Sequence, residues 1–360
     1  MHIEHLSLRN FRNYEKEEFS FIPETNILFG ENAQGKTNAL EALYLFSIGK
    51  SFRTPQDREL IRFGEDLARA ELTFSDNKRS QKIEIILRRD RKKQIKINGV
   101  VIHKLSELVG RLNVVLFCPE ELSLIKDGPN VRRRFIDIAL SQLRPNYYHL
   151  LGLYNKVLEQ RNNLIKKVKF HNAQSLLDTL FVWNEKLATY GVEIVRYRKE
   201  FVSMLDGYAK KVHAEISGEE LFMEYRTKVG TKEEFLDKLS SNIDKEIEQG
   251  YTLYGPHRDD IYLAVNDKDA KTFASQGQQR TVVLSLKLAQ ADLLYEETGE
   301  YPVLLLDDIM SELDAGRRAY LAGKILDKQA IITCTDVEEN LVGKKTKTIN
   351  ISNGSINEQI

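Results

Sequence analysis

A chain of 360 residues is longer than one ordinary domain, and 42% hydrophobic with 29% charged residues fits a folded globular protein rather than a fibrous or disordered one. Its 53 Lys and Arg balance 53 Asp and Glu, so no global field draws it to nucleic acid or acidic membranes, and any polyanion site has to be a local patch. Two distant cysteines, Cys118 and Cys334, exclude a disulfide framework and a zinc module; with no signal-like start and no run near ~18 apolar residues, a cytoplasmic chain without membrane association is expected.

Residues 3–8 (IEHLSL), 17–21 (EEFSF) and 26–29 (NILF) read as short strands, rich in branched and aromatic residues and broken by polar turns. TNALEALYLFSIG then carries apolar residues at helical spacing up to Gly49, which predicts a buried helix. From 66 to 102 the alternating stretches LARAELTF, KIEIIL and QIKI, with Asn98-Gly99 before VVI, predict antiparallel hairpins. Between about 120 and 250 the texture changes to long amphipathic stretches such as Tyr147, Leu151, Tyr154 and Leu158, so the middle is expected to be helical. Strands return at 261–265 (IYLAV), 303–308 (VLLLDD) and 330–335 (AIITCT), with helices at 276–296 and 315–327. That alternation predicts an α/β fold with a parallel sheet, and the runs VLLL and AII suit strands covered on both faces.

The strand NILF runs into Gly30, Glu31, Asn32, Ala33, Gln34, Gly35, Lys36 and Thr37, which is GxxxxGKT between a strand and a helix. A phosphate needs inward-turned backbone N–H groups at a helix start, glycines to permit its approach, a lysine for the β and γ oxygens and a hydroxyl for Mg²⁺. VLLLDD ends in Asp307 and Asp308 at the carboxyl end of an apolar strand, where open α/β sheets bind ligands. Asp307 suits the Mg²⁺ contact through a coordinated water, because Mg²⁺ at nucleotides keeps several waters and few carboxylates. Asp308 is then the catalytic base or water-orienting group, beside Lys36. Ser275 to Gln278 reads as an SxxQ helix start, where Gly277 lets a ligand approach and the helix end favours an anion.

The set GENAQGKT, SQGQQ, LLLDD and SELD resembles the heads of ATP-binding cassette and SMC-type ATPases, in which two copies sandwich ATP between a phosphate loop and the other copy's signature segment. More specifically, LRNFRNY at 8–14, GENAQGKTNALEAL at 30–43, GKSFRT at 49–54, PNVRRRFID at 129–137, YGPHRDD at 254–260 and SQGQQRT at 275–281 resemble the RecF family of bacterial DNA replication and repair proteins, over nearly the whole chain. The resemblance implies a head with a mixed β lobe and a parallel phosphate-loop core, built from residues 1–120 plus 251–360, around an inserted, mainly helical domain at 121–250. It further implies ATP and Mg²⁺ as ligands, an ATP-dependent homodimer, weak DNA-stimulated ATP hydrolysis, and action with RecO and RecR to load recombinase at gapped DNA. Carried over, Gly30 to Asn38 contact the nucleotide, Thr37 and Asp307 the metal, and Ser275, Gln276, Gly277 and Gln278 form the signature, with Ser311 to Asp314 as the D-loop. Gln276 and Thr335 depart from the transporter pattern, which favours a glycine and a switch histidine there, so the nucleotide-binding subunit of a transporter is the weaker alternative.

Between Lys78 and Lys96 nine basic residues stand against Glu84 and Asp90. A hairpin tip with Arg88, Arg89, Arg91, Lys92 and Lys93 can neutralise phosphates without reading bases, which predicts double-stranded or gapped DNA bound without sequence preference. A charged edge hairpin that merely resists aggregation has the same composition. Arg132 to Arg134 are a second basic cluster, open either to DNA contact or to packing of a helix start, and Arg258 to Asp260 are expected to form an ion-paired network supporting the nucleotide lobe.

Overall fold

The computed structural model describes residues 1–171, 177–337 and 345–359. The chain divides into two compact units, one of residues 1–122, 211–218 and 276–360, the other of residues 123–210 and 219–275. Among the described residues no helix is long and apolar enough to cross a membrane.

The first unit holds two six-stranded sheets. One is wholly antiparallel, ordered Tyr14–Ser20, His2–Phe11, Leu67–Ser75, Ser80–Arg88, Gln94–Ile97, Val100–Ile102. The other is ordered Ser355–Gln359, Thr346–Ser352, Thr25–Phe29, Ala330–Cys334, Val303–Asp307, Val114–Phe117, parallel except for its first pair. Val303–Asp307 and Ala330–Cys334 are buried at every residue, as near-continuous apolar runs at the centre of a doubly covered sheet must be. Helix Lys36–Ile48 is buried nearly all round, because it packs on strands of both sheets. Gln329 joins the two sheets: its amide pairs with the Ile3 N–H and carbonyl at 2.6 and 2.7 Å and donates to the Ile22 carbonyl at 2.8 Å.

The second unit is mainly helical, with Pro129–Leu143, Pro145–His171 and the first part of Leu177–Ser217 as its long elements. It is not purely helical, since Leu221–Arg226 is a strand whose residues alternate buried and exposed. Asp260–Val265, read from sequence with the head, pairs antiparallel with that strand and so lies in this unit. Its buried charges are each matched, as burial in low dielectric requires. Arg198 forks onto Asp137 at 3.0 and 3.0 Å and reaches the Pro256 carbonyl at 2.6 Å, while Arg161 meets Glu246 at 2.6 Å with both side chains fully buried. The basic cluster at 132–134 is largely spent here as well. Arg132 forks onto Asp260 at 2.7 and 3.0 Å, Arg133 binds the Asp259 carbonyl, and Tyr225 donates to Asp259 at 2.5 Å. Arg258 lies over the Tyr251 ring and points at the Thr252 carbonyl. The network expected at 258–260 therefore stabilises the second unit, and the packing role of Arg132 accounts for its burial.

Candidate functional site: a phosphate loop above a buried carboxylate

The loop after strand Thr25–Phe29 takes positive φ at Gly30 (146°), Ala33 (64°) and Gly35 (121°), then enters the helix at Lys36. Gly35 sits at φ 121°, strained for any side chain, and a Cβ there would come within 2.6 Å of Asn13 Nδ2, displacing a side chain that holds the loop. The loop is held from outside. Asn13 Nδ2 and the Gly354 N–H donate to the Gln34 carbonyl at 2.8 and 3.0 Å, Tyr14 OH donates to the Gly35 carbonyl at 2.9 Å, and the Asn353 N–H reaches Gln34 Oε1 at 2.5 Å. The helix itself starts without a side-chain cap and without an acidic residue in its first turn, which leaves its N–H groups and positive dipole end for an anion.

Lys36 is 8% exposed, and its Nζ donates to the carbonyls of Gly30 and Glu31 at 2.6 and 2.7 Å. Burial lowers its pKa below the ordinary lysine value, and the nearby Asp308, Cys334 and Asp307 work against that shift. A phosphate placed in the loop would act in the same direction as those groups. Glu31, Asn32 and Ala33 are exposed at the loop mouth.

Beneath the loop, Asp307 is 6% exposed and its Oδ1 accepts from the hydroxyls of Thr37 and Thr333, each at 2.8 Å. Burial raises its pKa, while these two hydrogen bonds favour the carboxylate. The Thr333 hydroxyl also accepts from the Asp308 N–H at 3.0 Å, and Asp308 sits at φ 48° with its side chain exposed. A left-handed aspartate at a strand end is the sparsely populated backbone that active sites tend to retain. Adjacent acids thus face different media: one desolvated beside the loop threonine, one open to water. A hydroxyl and a desolvated carboxylate in contact form an oxygen donor set suited to Mg²⁺. Among the described residues there is no cluster of three or more His, Cys, Asp or Glu that could hold a metal ion.

Asn38 is engaged at both ends of its amide, donating to Asn13 Oδ1 at 2.8 Å and accepting from Arg53 Nη1 at 2.8 Å. Its immediate partners are thus supports of the loop. Sequence reasoning from single motifs missed Glu41, which is fully buried on the loop's helix. It takes Arg12 Nε and Nη2 at 2.8 Å each and Ser51 Oγ at 2.5 Å, with Arg53 at 3.7 Å. One acid on an otherwise apolar helix was the available signal, because a buried carboxylate requires cationic partners.

The four residues Ser275 to Gln278 lie at the start of a different helix, Gln276–Thr298. Ser275 and Gln276 are exposed, while Gly277 and Gln278 are half-buried. Behind them, Arg280 pairs with Glu312 and Arg317 Nε donates to Thr281 Oγ1 at 2.8 Å, so the helix start is tied to the SELD segment. Asp314 of that segment caps helix Ala315–Ile325 by accepting from the Arg317 N–H at 2.9 Å.

Strands Ser80–Arg88 and Gln94–Ile97 form the basic hairpin. Its charge is smaller in space than along the chain. Lys82 pairs with Glu71, Lys93 with Asp57 at 2.9 Å, Lys96 with Glu84 at 2.8 Å and Arg91 with its neighbour Asp90 at 3.1 Å. Arg88, Arg89 and Lys92 are in no ion pair among the described residues.

A family described as the RecF/RecN/SMC N terminal domain matches residues 2–357. The chain is 42% identical over 368 residues to the DNA replication and repair protein RecF of Clostridium beijerinckii, covering 100% of this chain and 99% of that protein. With the same-named protein of Bacillus cereus the figures are 43% over 376 residues, 100% and 99%. A solved structure of the recombination mediator protein RecF-ATPrS in the RecFOR pathway superposes with a TM-score of 0.93 at 35% identity, covering 100% of this chain and 98% of the other. An SMC head bound to the C-winged helix domain of ScpA shares the fold alone, at a TM-score of 0.58 and 15% identity.

Proposed function

The chain belongs to the RecF family of DNA replication and repair proteins, and from that premise we propose that it is a cytoplasmic, ATP-operated DNA clamp whose two copies close around nucleotide. The first compact unit serves as the ATPase head and the second as its arm. A single observation carries this reading: the loop threonine bonded to a desolvated strand-end carboxylate directly beneath Lys36. Loop N–H groups and Lys36 bind the β and γ phosphates, and Thr37 with Asp307 holds the magnesium. Bound there, Mg²⁺ supplies charge compensation at the phosphate oxygens. Asp308, exposed and fixed by Thr333, orients the attacking water. Ser275 and the helix start after it belong to the other copy's phosphate, adding the charge stabilisation that a lone head lacks. The exposed hairpin, through Arg88, Arg89, Arg91, Lys92 and Lys93, contacts DNA phosphates without reading sequence. Slow hydrolysis resets the dimer, and RecO and RecR act with it at gapped DNA.

Sedimentation with ATP, ADP or no nucleotide, each with and without gapped duplex, tests the whole scheme. An ATP-dependent dimer that binds DNA is expected; a monomer under every condition defeats the clamp.

The two acids should fail differently. Asp308→Asn is expected to bind ATP, lose about a hundredfold or more in turnover and accumulate as dimer, as loss of a general base does. Asp307→Asn should weaken Mg²⁺-dependent ATP binding itself. Wild-type turnover by Asp308→Asn would remove its assigned role.

For the hairpin, replacing Arg91, Lys92 and Lys93 by Ser should weaken binding to all sequences alike and lower the salt slope by about 0.9 per lost phosphate contact. Because Arg91 is paired with Asp90 and Lys93 with Asp57, and Lys92 alone of the three is in no ion pair among the described residues, the arithmetic favours a change nearer one contact than three. An unchanged slope would return the hairpin to a protective edge.

A further inference from the structure

Phe63 is 98% exposed, on a turn bonded to Arg89 at the tip of the basic hairpin. It does not sit on a loose loop. The Glu65 N–H closes a turn onto the Arg62 carbonyl at 3.1 Å, and Gly64 has φ 87°, the value required at the third position of a type II turn, which puts Phe63 at the corner. The turn is anchored on both sides, by the Arg62 N–H to the Asn10 carbonyl at 2.8 Å and by Arg89, whose Nε donates to the Glu65 carbonyl at 2.6 Å and whose N–H donates to the Asp66 carbonyl at 3.2 Å. Arg62 is further fixed by Glu15 at 2.9 Å. The turn that carries the ring is held in place by backbone bonds and by Arg89, a hairpin cation that is in no ion pair among the described residues.

The geometry points to Phe63 as a stacking platform for an unpaired or terminal DNA base, with Arg88, Arg89 and Lys92 receiving the phosphates beside it. A flat apolar ring on a turn bonded to Arg89, with Arg88 and Lys92 close to Arg89 along the chain, matches a nucleotide, which presents a π-face and an anion a few ångströms apart. An acidic peptide would use the cations but not the ring, and an apolar one the reverse. Continuous duplex hides its base faces, and prising a step open costs a few kcal/mol, so the ring favours DNA that already has an unstacked base. The inference rests on the DNA-binding reading above and deepens it by naming the side chain that meets the unpaired base.

The test compares a continuous duplex with one carrying a single-stranded gap whose first unpaired base is 2-aminopurine, at one salt concentration with ATP present. Wild type should prefer the gapped DNA and change the 2-aminopurine fluorescence on binding. Phe63→Ala should reduce that preference by about five- to a hundredfold, the span that base–aromatic stacking supplies, and abolish the fluorescence change, while Phe63→Trp restores both. Phe63→Ala with the wild-type preference and fluorescence change overturns the stacking role and leaves DNA binding standing. Wild type that binds neither DNA overturns the DNA reading and this inference with it. If Phe63→Ala instead loses ATP-dependent dimerisation in sedimentation, the ring is a contact between copies and the inference is wrong. A turn closed by backbone bonds should keep its fold without the ring, so unchanged thermal unfolding is the control for both variants.

Discussion

Lys36→Met should lose ATP binding by about a hundredfold or more while its far-UV circular dichroism stays that of the wild type. The size follows from the partners. The ammonium is almost buried and already donates to two loop carbonyls, so it meets phosphate at a site largely stripped of water. Hydrogen bonds to charged groups contribute about 1.5–3 kcal/mol each, and tenfold in affinity is about 1.4 kcal/mol, so two phosphate oxygens account for at least two orders of magnitude. The fold should survive for a separate reason. Asn13, Tyr14, Asn353 and Gly354 hold the outside of the loop, and none of those bonds uses Lys36. Methionine keeps most of the apolar stem and removes the charge whose burial already works against it. Calorimetry with ATP checks the affinity; a normal dissociation constant would remove Lys36 from the phosphate site.

The parts legible in the sequence were those whose physical cause is local. A glycine-permitted loop between an apolar strand and a helix declares itself, and so do VLLLD and AIITC, because a strand buried on both faces is a near-continuous apolar run, interrupted here only by Asp307 and Thr333. Strand Val114–Phe117 has the same apolar character, but its place beside Val303–Asp307 depends on a pairing far along the chain. The hairpin of Thr346–Ser352 and Ser355–Gln359 was overlooked although its turn, Asn353-Gly354 at φ 52° and 72°, is the Asn-Gly pair that two-residue hairpins favour. Its consequence was out of reach of periodicity, since the turn's two N–H groups fix Gln34 of the phosphate loop more than three hundred residues earlier. Charge was misjudged for the same reason. Counting from Lys78 to Lys96 cannot see Glu71 and Asp57, which arrive from other segments to neutralise Lys82 and Lys93. The middle of the chain concealed Leu221–Arg226, a six-residue alternation among long helices, and with it the pairing that carries Asp260–Val265 out of the head.

Ser275→Arg should bind ATP with near-normal affinity as a monomer, fail to dimerise and lose most of its hydrolysis. Ser275 is exposed ahead of helix Gln276–Thr298, while the phosphate loop's supports come from residues 13, 14, 353 and 354, so the variant keeps an intact loop. A long cation at that position fills the space in which another copy's phosphate would approach the helix start, and the favourable dipole end is then unreachable. The effect on turnover follows, because a head without the opposing helix start lacks part of the charge stabilisation its transition state needs. A disrupted local fold would give the same losses, and mixing separates the two causes. Ser275→Arg brings a sound phosphate loop, and Lys36→Met brings a sound signature segment; a dimer of one of each has one intact composite site of its two. ATP-dependent association should therefore be absent from either variant alone and reappear in the mixture, weaker than in wild type because only one nucleotide bridges the copies. A Ser275→Arg protein that dimerises and hydrolyses ATP normally would reduce SQGQ to the start of a helix, and a mixture that stays monomeric would deny that loop and signature meet across two chains.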